Sequence, residues 1–294
     1  MSGPPEDAAD VVDHSALHVP VPALRPYVAS WTGYRQAGVP PGLHRGLPSP
    51  FLTVIFTLDD PLVIAAHPDP AQGSGTFETL VGGLHTSPAL ISHDGRQSGI
   101  QLALTPLGAR TLLRMPAGEL AGIDVHGDDV LGRLADGTQD RLRELSDWPS
   151  RFAFLEHLLL TELWDADGSP GLSPEISYAW RHLLRTGGTA PMTELVTETG
   201  WSDRYLRHKF RLETGLGPKE AARVIRFDQT RRRLQQRHAA GEQLALAELA
   251  ATAGYFDQAH MDREFRMLAG CPPTTWLATE FRNVQATAVS LPPG

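Results

Sequence analysis

Cysteine is all but missing from this chain. Cys271 stands alone among 294 residues, which excludes an internal disulfide and any zinc site built from several cysteines. Lysine is nearly as rare, at 209 and 219 only, while arginine, alanine, glycine and proline abound; that usage suits a GC-rich bacterial genome. No apolar run approaches the length of a signal core or a membrane span, and no Lys or Arg precedes Arg25. The expectation is a soluble cytoplasmic protein with no membrane partner. Catalytic patterns are missing too: there is no nucleophile-elbow glycine pattern, no paired-histidine helix motif and no carboxylate pair of interpretable spacing. No catalytic residue is assigned, and an enzyme is not expected. The run GSGTFE at 73–78 lacks the lysine of a phosphate loop and the third glycine of a dinucleotide fingerprint, so it reads as a hairpin turn and implies no cofactor.

Positive charge is also in deficit, with a net charge of −8, but the deficit is not uniform. Residues 1–173 hold 10 basic against 21 acidic side chains, a net of −11, whereas residues 174–294 hold 16 against 13, a net of +3. Within the second part, 201–237 carries +7 and 242–282 carries −3. Phosphate neutralisation dominates nucleic-acid affinity, so the cationic part of a nucleic-acid footprint is local to 201–237, and most nonspecific binding energy is expected from the first copy.

That region belongs to an internal repeat. Leu195, Val196 and Gly200 recur 54 residues later as Leu249, Ala250 and Gly254. Leu206, Phe210, Arg211, Gly215 and Pro218 recur 55 residues later as Met261, Phe265, Arg266, Gly270 and Pro273. The change of offset places one extra residue in the second copy's turn. Each copy meets the needs of a helix-turn-helix: a glycine where the turn demands positive φ, then a helix with one apolar stripe and one open face. Leu206 and Phe210 supply the first stripe, Met261 and Phe265 the second, and Ser202 stands at an N-cap position. Arg204, Arg207, His208 and Arg211 share the outward face of the first helix, the profile of a groove reader. Gln258, Ala259, His260 and Arg263 lie at the exposed start of the second. Pro218 and Pro273 suit the first turn of a following helix, and 218–237 reads as one long helix joining the copies. On it, Arg231, Arg232 and Arg233 cannot share one face, so at most two reach phosphate. Arg226 is expected in a structural ion pair near Asp228, and Trp201 and Trp276 in the core.

The runs S-x-x-Y-L-x-x-x-F-x-x-x-x-G-x-x-P from Ser202 and G-Y-x-D-Q-x-H from Gly254 resemble the double helix-turn-helix domain of AraC/XylS-type transcriptional regulators. The resemblance covers residues 174–282. It implies base-edge contacts in successive major-groove segments from Arg204, Arg207 and His208, then from Gln258, Ala259, His260 and Arg263. Ser202, Lys209 and Arg211 are the phosphate candidates. It also implies double-stranded DNA and RNA polymerase as partners, and leaves a homodimer open. The second copy departs from the family: Tyr255 and Met261 replace phenylalanine, Ala259 replaces serine, and the acidic pair Asp262 and Glu264 beside Arg263 is expected to weaken phosphate attraction.

Ahead of the repeat, residues 1–20 read as a disordered, acidic, proline-bearing tail. Segments 51–58, 62–66, 76–84, 89–92 and 99–105 are short, rich in β-branched residues and separated by turn signals, which predicts an antiparallel sheet or small barrel. From Pro106 the pattern turns helical over 107–115, 129–146 and 150–164. The fold class is therefore α+β: a β-rich domain with flanking helices (21–164), a linker (165–173), an all-α domain (174–282) and a flexible tail (283–294). By the family resemblance the β-rich part is a sensor or dimerisation domain, often cupin-like, for a small-molecule effector whose identity the sequence does not give. His44, His67, His85 and His93 are scattered among the predicted strands and are read as hydrogen-bonded or surface residues, not metal ligands.

The leading reading is a sequence-specific DNA-binding transcription regulator. One rival is a metabolite-binding protein or enzyme working through the β-rich half, with the helical part as a docking module. Another gives the acidic second copy to protein contact with polymerase instead of DNA.

Overall fold

The computed structural model describes residues 11–166 and 171–280. Ten strands come first: β1 (Val12–His18), β2 (Val28–Ala37), β3 (Gly42–Gly46), β4 (Leu52–Thr57), β5 (Leu62–Ala66), β6 (Gly75–Phe77), β7 (Thr79–Gly82), β8 (Ala89–His93), β9 (Gln97–Leu104) and, after one helix, β10 (Asp124–His126). Helices α1 (Pro106–Leu112), α2 (Gly127–Val130), α3 (Thr138–Glu144) and α4 (Trp148–Asp165) flank them. The helical region follows, with α5 (Pro174–Arg185), α6 (Met192–Thr199), α7 (Asp203–Thr214), α8 (Pro218–Ala239), α9 (Leu246–Thr252), α10 (Gln258–Ala269) and α11 (Pro273–Glu280).

The strands make two antiparallel sheets, a six-stranded one in the order β1-β2-β9-β4-β7-β10 and a four-stranded one in the order β3-β8-β5-β6. Ile55 and Leu80 of the first sheet meet Leu62, Ile64, Phe77 and Ile91 of the second in a buried cluster. Such alternating inward side chains are what a sandwich needs from short β-branched strands. A larger apolar core runs continuously from Trp31 and Leu102 through Leu155 to Phe210, Phe227 and Trp276, so the helices close over the sheets and over one another.

Three expectations are corrected here. The tail assigned to 1–20 is a strand over 12–18, registered on β2 from Val12 opposite Ala37 to His18 opposite Trp31. Its side chains are mostly exposed, so backbone pairing to a sheet edge orders it, helped by the His18 ring stacked 4.7 Å from Trp31 and hydrogen-bonded to Glu156 at 3.0 Å. Residues 1–10, part of the expected linker (167–170) and the expected tail 283–294 lie outside the described residues. The segment 76–84 is two strands in different sheets, and β5 reaches β6 through the longer loop 67–74 instead of a tight hairpin at GSG. The expected helical stretch 129–146 is broken into the end of α2, a 3-10 turn at Gly132–Leu134 and α3, because Gly137 adopts φ 64° before α3 begins.

The helical region is docked on the sheets at two places. The last turn of α7 lies on a 3-10 turn at Ala117–Leu120, where a Cβ added to Gly118 would stand 2.1 Å from the carbonyl oxygen of Leu212. Arg110 and Glu213 face each other beside it at 3.8 Å. At the other end, Glu280 of α11 accepts from the Arg45 guanidinium at 2.5 Å and from the Arg45 amide at 3.0 Å.

Candidate nucleic-acid interface

Both copies of the repeat build the same turn. Gly200 closes α6 at φ 68° and Gly254 follows α9 at φ 79°, a conformation that costs any residue with a Cβ. The next helix is then capped from outside. Ser202 Oγ accepts from the Tyr205 amide at 3.3 Å, and Asp257 Oδ1 accepts from the His260 amide at 2.7 Å, satisfying donors the helix leaves open. Leu206, Phe210, Met261 and Phe265 are all fully buried, so the opposite faces of α7 and α10 point outward by helical geometry. Gly215 and Gly270 end these helices, and Pro218 and Pro273 open the next.

The structure sorts the sequence candidates. Arg204 and His208 are exposed on α7, and Gln258, Ala259 and Arg263 on α10. Arg207 is half-exposed and lies on Asp203, one turn earlier, at 2.8 Å. Arg211 is tied to Glu220 at 2.5 Å, and Glu220 in turn accepts from the Gly217 amide at 2.7 Å at the start of α8. Lys209 sits over the Tyr205 ring, 5.8 Å from its centroid. His260 is engaged on both sides: Nδ1 accepts from the Phe256 amide at 3.3 Å, and Nε2 faces Glu264 at 3.6 Å. An amide donor requires an unprotonated Nδ1, so the ring proton belongs on Nε2.

On the connecting helix Arg226 makes a structural ion pair, as expected, but with a different partner. Arg226 pairs with Glu264 of α10 at 2.8 Å, not with Asp228, and lies over the Tyr255 ring at 4.9 Å. Glu264, expected to repel phosphate, is instead buried and also receives Arg223 at 3.2 Å. Asp228 is fully buried and takes Arg231 at 2.7 Å and Arg232 at 2.8 Å. Burial alone would raise its pKa, but the two guanidinium groups outweigh that and hold the carboxyl below its ordinary range. Of the three consecutive arginines only Arg233 is exposed. Trp276 is fully buried, as expected, whereas Trp201 is half-buried against Tyr205.

Two features escaped the sequence. Arg185, Arg226 and Arg233, with backbone at Gly187 and Gly254, line a cleft of about 290 Å³ between the end of α5, α8 and the turn after α9. Arg185 comes from α5, outside the repeat, so repeat logic could not reach it. The second is Phe256, which stands 93% exposed immediately before the N-cap of α10. Its signal was the extra residue: one residue, Trp201, separates Gly200 from Ser202, but two, Tyr255 and Phe256, separate Gly254 from Asp257.

The β-rich region holds a cavity of about 80 Å³ between the sheets, walled by Ile55, Leu62, Ile64, Leu80 and Ile91. Arg45, Gln101, His85 and Asp124 add polar atoms, and Arg231 reaches its lining from α8. Burial pushes His85 below its ordinary pKa, outweighing the Ser87 carbonyl that accepts from its ring. His67 pairs with Asp124 at 2.6 Å, and the His44 and His93 rings stand 5.7 Å apart on β3 and β8. Among the described residues, no three His, Cys, Asp or Glu side chains gather as a metal site, and no helix is long and apolar enough to cross a membrane.

Comparison with known proteins meets this geometry from outside. Residues 179–279 match a family model described as a helix-turn-helix domain, and residues 17–126 match a domain of unknown function (DUF6597). No curated protein matches in sequence. Solved structures are similar in fold. An apo variant of ToxT from Vibrio cholerae strain SCE256 is 10% identical with a TM-score of 0.50, covering 90% of this chain and 97% of that one. A further ToxT structure from Vibrio cholerae is 11% identical with a TM-score of 0.49, covering 84% and 97%. The C-terminal domain of AraT, a response regulator from Geobacillus stearothermophilus, is 20% identical with a TM-score of 0.33, covering 37% and 87%. With the repeat, its caps and its two outward helix faces in place, residues 179–279 form a helix-turn-helix domain set behind a two-sheet β-rich region.

Proposed function

We propose that one chain reads an asymmetric duplex site by placing the starts of α7 and α10 in successive major-groove segments roughly 10 base pairs apart. The observation that carries this reading is that both helices bury one stripe and leave their amino-terminal ends exposed within a single helical region. Arg204 and His208 serve the first segment, with Arg207 able to exchange Asp203 for guanine or phosphate; Arg favours guanine O6 and N7. Gln258, Ala259 and Arg263 serve the second, Gln258 favouring adenine. His260 orders the turn ahead of α10 more than it reads a base, and Ser202 and Arg211 are held by their caps and pairs, with Lys209 nearest to phosphate. The cleft of Arg185 and Arg233, beside the turn of the second copy, offers positive charge to the phosphates flanking the second segment. Because α8 joins the copies as one continuous helix, matching both grooves bends the duplex and adds shape readout.

Control comes from the β-rich region. The cavity between its sheets has apolar walls, several polar lining groups and one lining residue from α8, so a ligand of only a few heavy atoms seated there touches the helix that joins the two copies. RNA polymerase is the expected protein partner, a homodimer is compatible with the fold, and the cytoplasm is the site of action. The domain boundary falls in 165–173. Selection of preferred sequences from random duplex DNA with the full chain tests the reading: two conserved segments about one helical turn apart are expected, and enrichment of a single segment, or of none, would overturn it.

A further inference from the structure

The residue that the second copy has gained in its turn is the most exposed large apolar side chain of the described residues. Phe256 is 93% exposed, while its neighbour Tyr255, the counterpart of Trp201, is 5% exposed and packed against His260 and Arg226. The extra residue is therefore not accommodated by burying it. Nor is it loose, because its amide donates to His260 Nδ1 and the following residue, Asp257, caps α10. The backbone that carries the phenyl ring is thus fixed at the leading end of a helix whose first residues are Gln258 and Ala259, both exposed.

That end is poor in positive charge. Asp257 occupies the cap, Glu264 is turned inward, and Arg263 is the exposed cation of the first two turns. Phosphate attraction therefore contributes less here than at α7, and what the surface offers is apolar. In the major groove, one chemical group meets such a surface: the 5-methyl of thymine, which takes apolar contact from side chains such as Ala and Phe. Other bases present only donors and acceptors there, which a phenyl ring desolvates without replacing their partners.

We infer that Phe256, with Ala259 beside it, reads a thymine methyl group in the second major-groove segment. The inference rests on the proposed insertion of α10. A methyl-sized apolar group leaving water corresponds to about fourfold in affinity, which sets the size of the effect.

The test uses the full chain and the duplex recovered by selection, with each thymine of the second segment replaced singly by deoxyuridine, which removes only the methyl group. At one position the replacement weakens wild-type binding about fourfold, whereas Phe256→Ala binds thymine and uracil duplexes equally and Phe256→Leu keeps part of the preference. Phe256 packs on nothing, so both variants fold. Replacements that leave wild-type binding unchanged overturn the inference. So does a Phe256→Ala loss that is the same with thymine and uracil, which would assign the ring to the sugar-phosphate edge. Failure of the wild-type chain to hold any duplex would instead sink the groove-reading proposal itself.

Discussion

Arg226 on the connecting helix and Glu264 on the second recognition helix are bound to each other across 2.8 Å, with Glu264 95% withdrawn from solvent and Arg223 completing the site. The pair ties α10 to α8, and it removes from the outward surface an acid that the linear sequence places beside Arg263. Glu264→Ala strands two guanidinium groups at a partly buried site and is expected to lower stability by about 3 kcal/mol in denaturant unfolding. The same change should not strengthen DNA binding, as removal of an outward acid would. A stable variant with tighter binding would show that Glu264 faces the duplex.

Tyr255 lies in the same contact. Burial, with the Glu264 charge adding to it, pushes its pKa from the ordinary 10 to about 12. A raised folded-state value means stability is complete below the unfolded pKa near 10 and is lost as pH climbs through the folded value. The ultraviolet phenolate titration of the five tyrosines should therefore contain a late step near 12 that vanishes in Tyr255→Phe, and that variant should lose less stability between pH 10 and 12. Identical titrations of the two proteins would refute the burial argument.

The division of charge between the copies predicts unequal salt behaviour. Each phosphate neutralised contributes about 0.9 to the slope of log affinity against log salt. Arg204→Ala with Arg207→Ala is expected to reduce the slope by about 1 to 2, and Arg263→Ala by less than 1. An unchanged slope for the double variant would refute the assignment of nonspecific binding to α7. If Arg263→Ala changed neither affinity nor sequence preference, the second copy would be a protein-contact surface instead.

Docking of α7 on the β-rich region has its own test. Gly118→Ala sets a methyl group against the Leu212 carbonyl, a backbone atom that cannot swing aside. Overpacking of this kind costs about 1–3 kcal/mol. Hydrogen exchange at the amides of 206–215 should speed up in the variant while β9 stays protected; unchanged exchange along α7 would mean the contact is not sustained in solution.

How far the sequence carried depended on periodicity. The repeat exposed the glycine turns, the Ser202 cap and the four buried knobs, because those positions must recur at fixed spacing for two helices to cross. Strands with β-branched alternation, such as 52–57 and 62–66, were visible for the same reason. β1 was not, since its order comes from backbone pairing to β2 rather than from its own side chains. β2 was missed because it is buried on both faces along most of its length and so shows no alternation. Pairings between elements were out of reach: nothing local to Arg226 distinguishes Asp228, two residues away, from Glu264 on another helix. Phe256 sat in between, since the offset announced an extra residue but only the fold shows that it is the one left in solvent.

The central claim is that both recognition helices enter the same duplex. Dimethyl sulfate protection of guanine N7 on a selected site, with the full chain bound, tests it most directly because that atom lies in the major groove. Two protected segments centred roughly 10 base pairs apart, the first lost in Arg204→Ala with Arg207→Ala and the second in Gln258→Ala with Arg263→Ala, are the expected result. Protection of one segment only, unaffected by substitutions in the other helix, would contradict it.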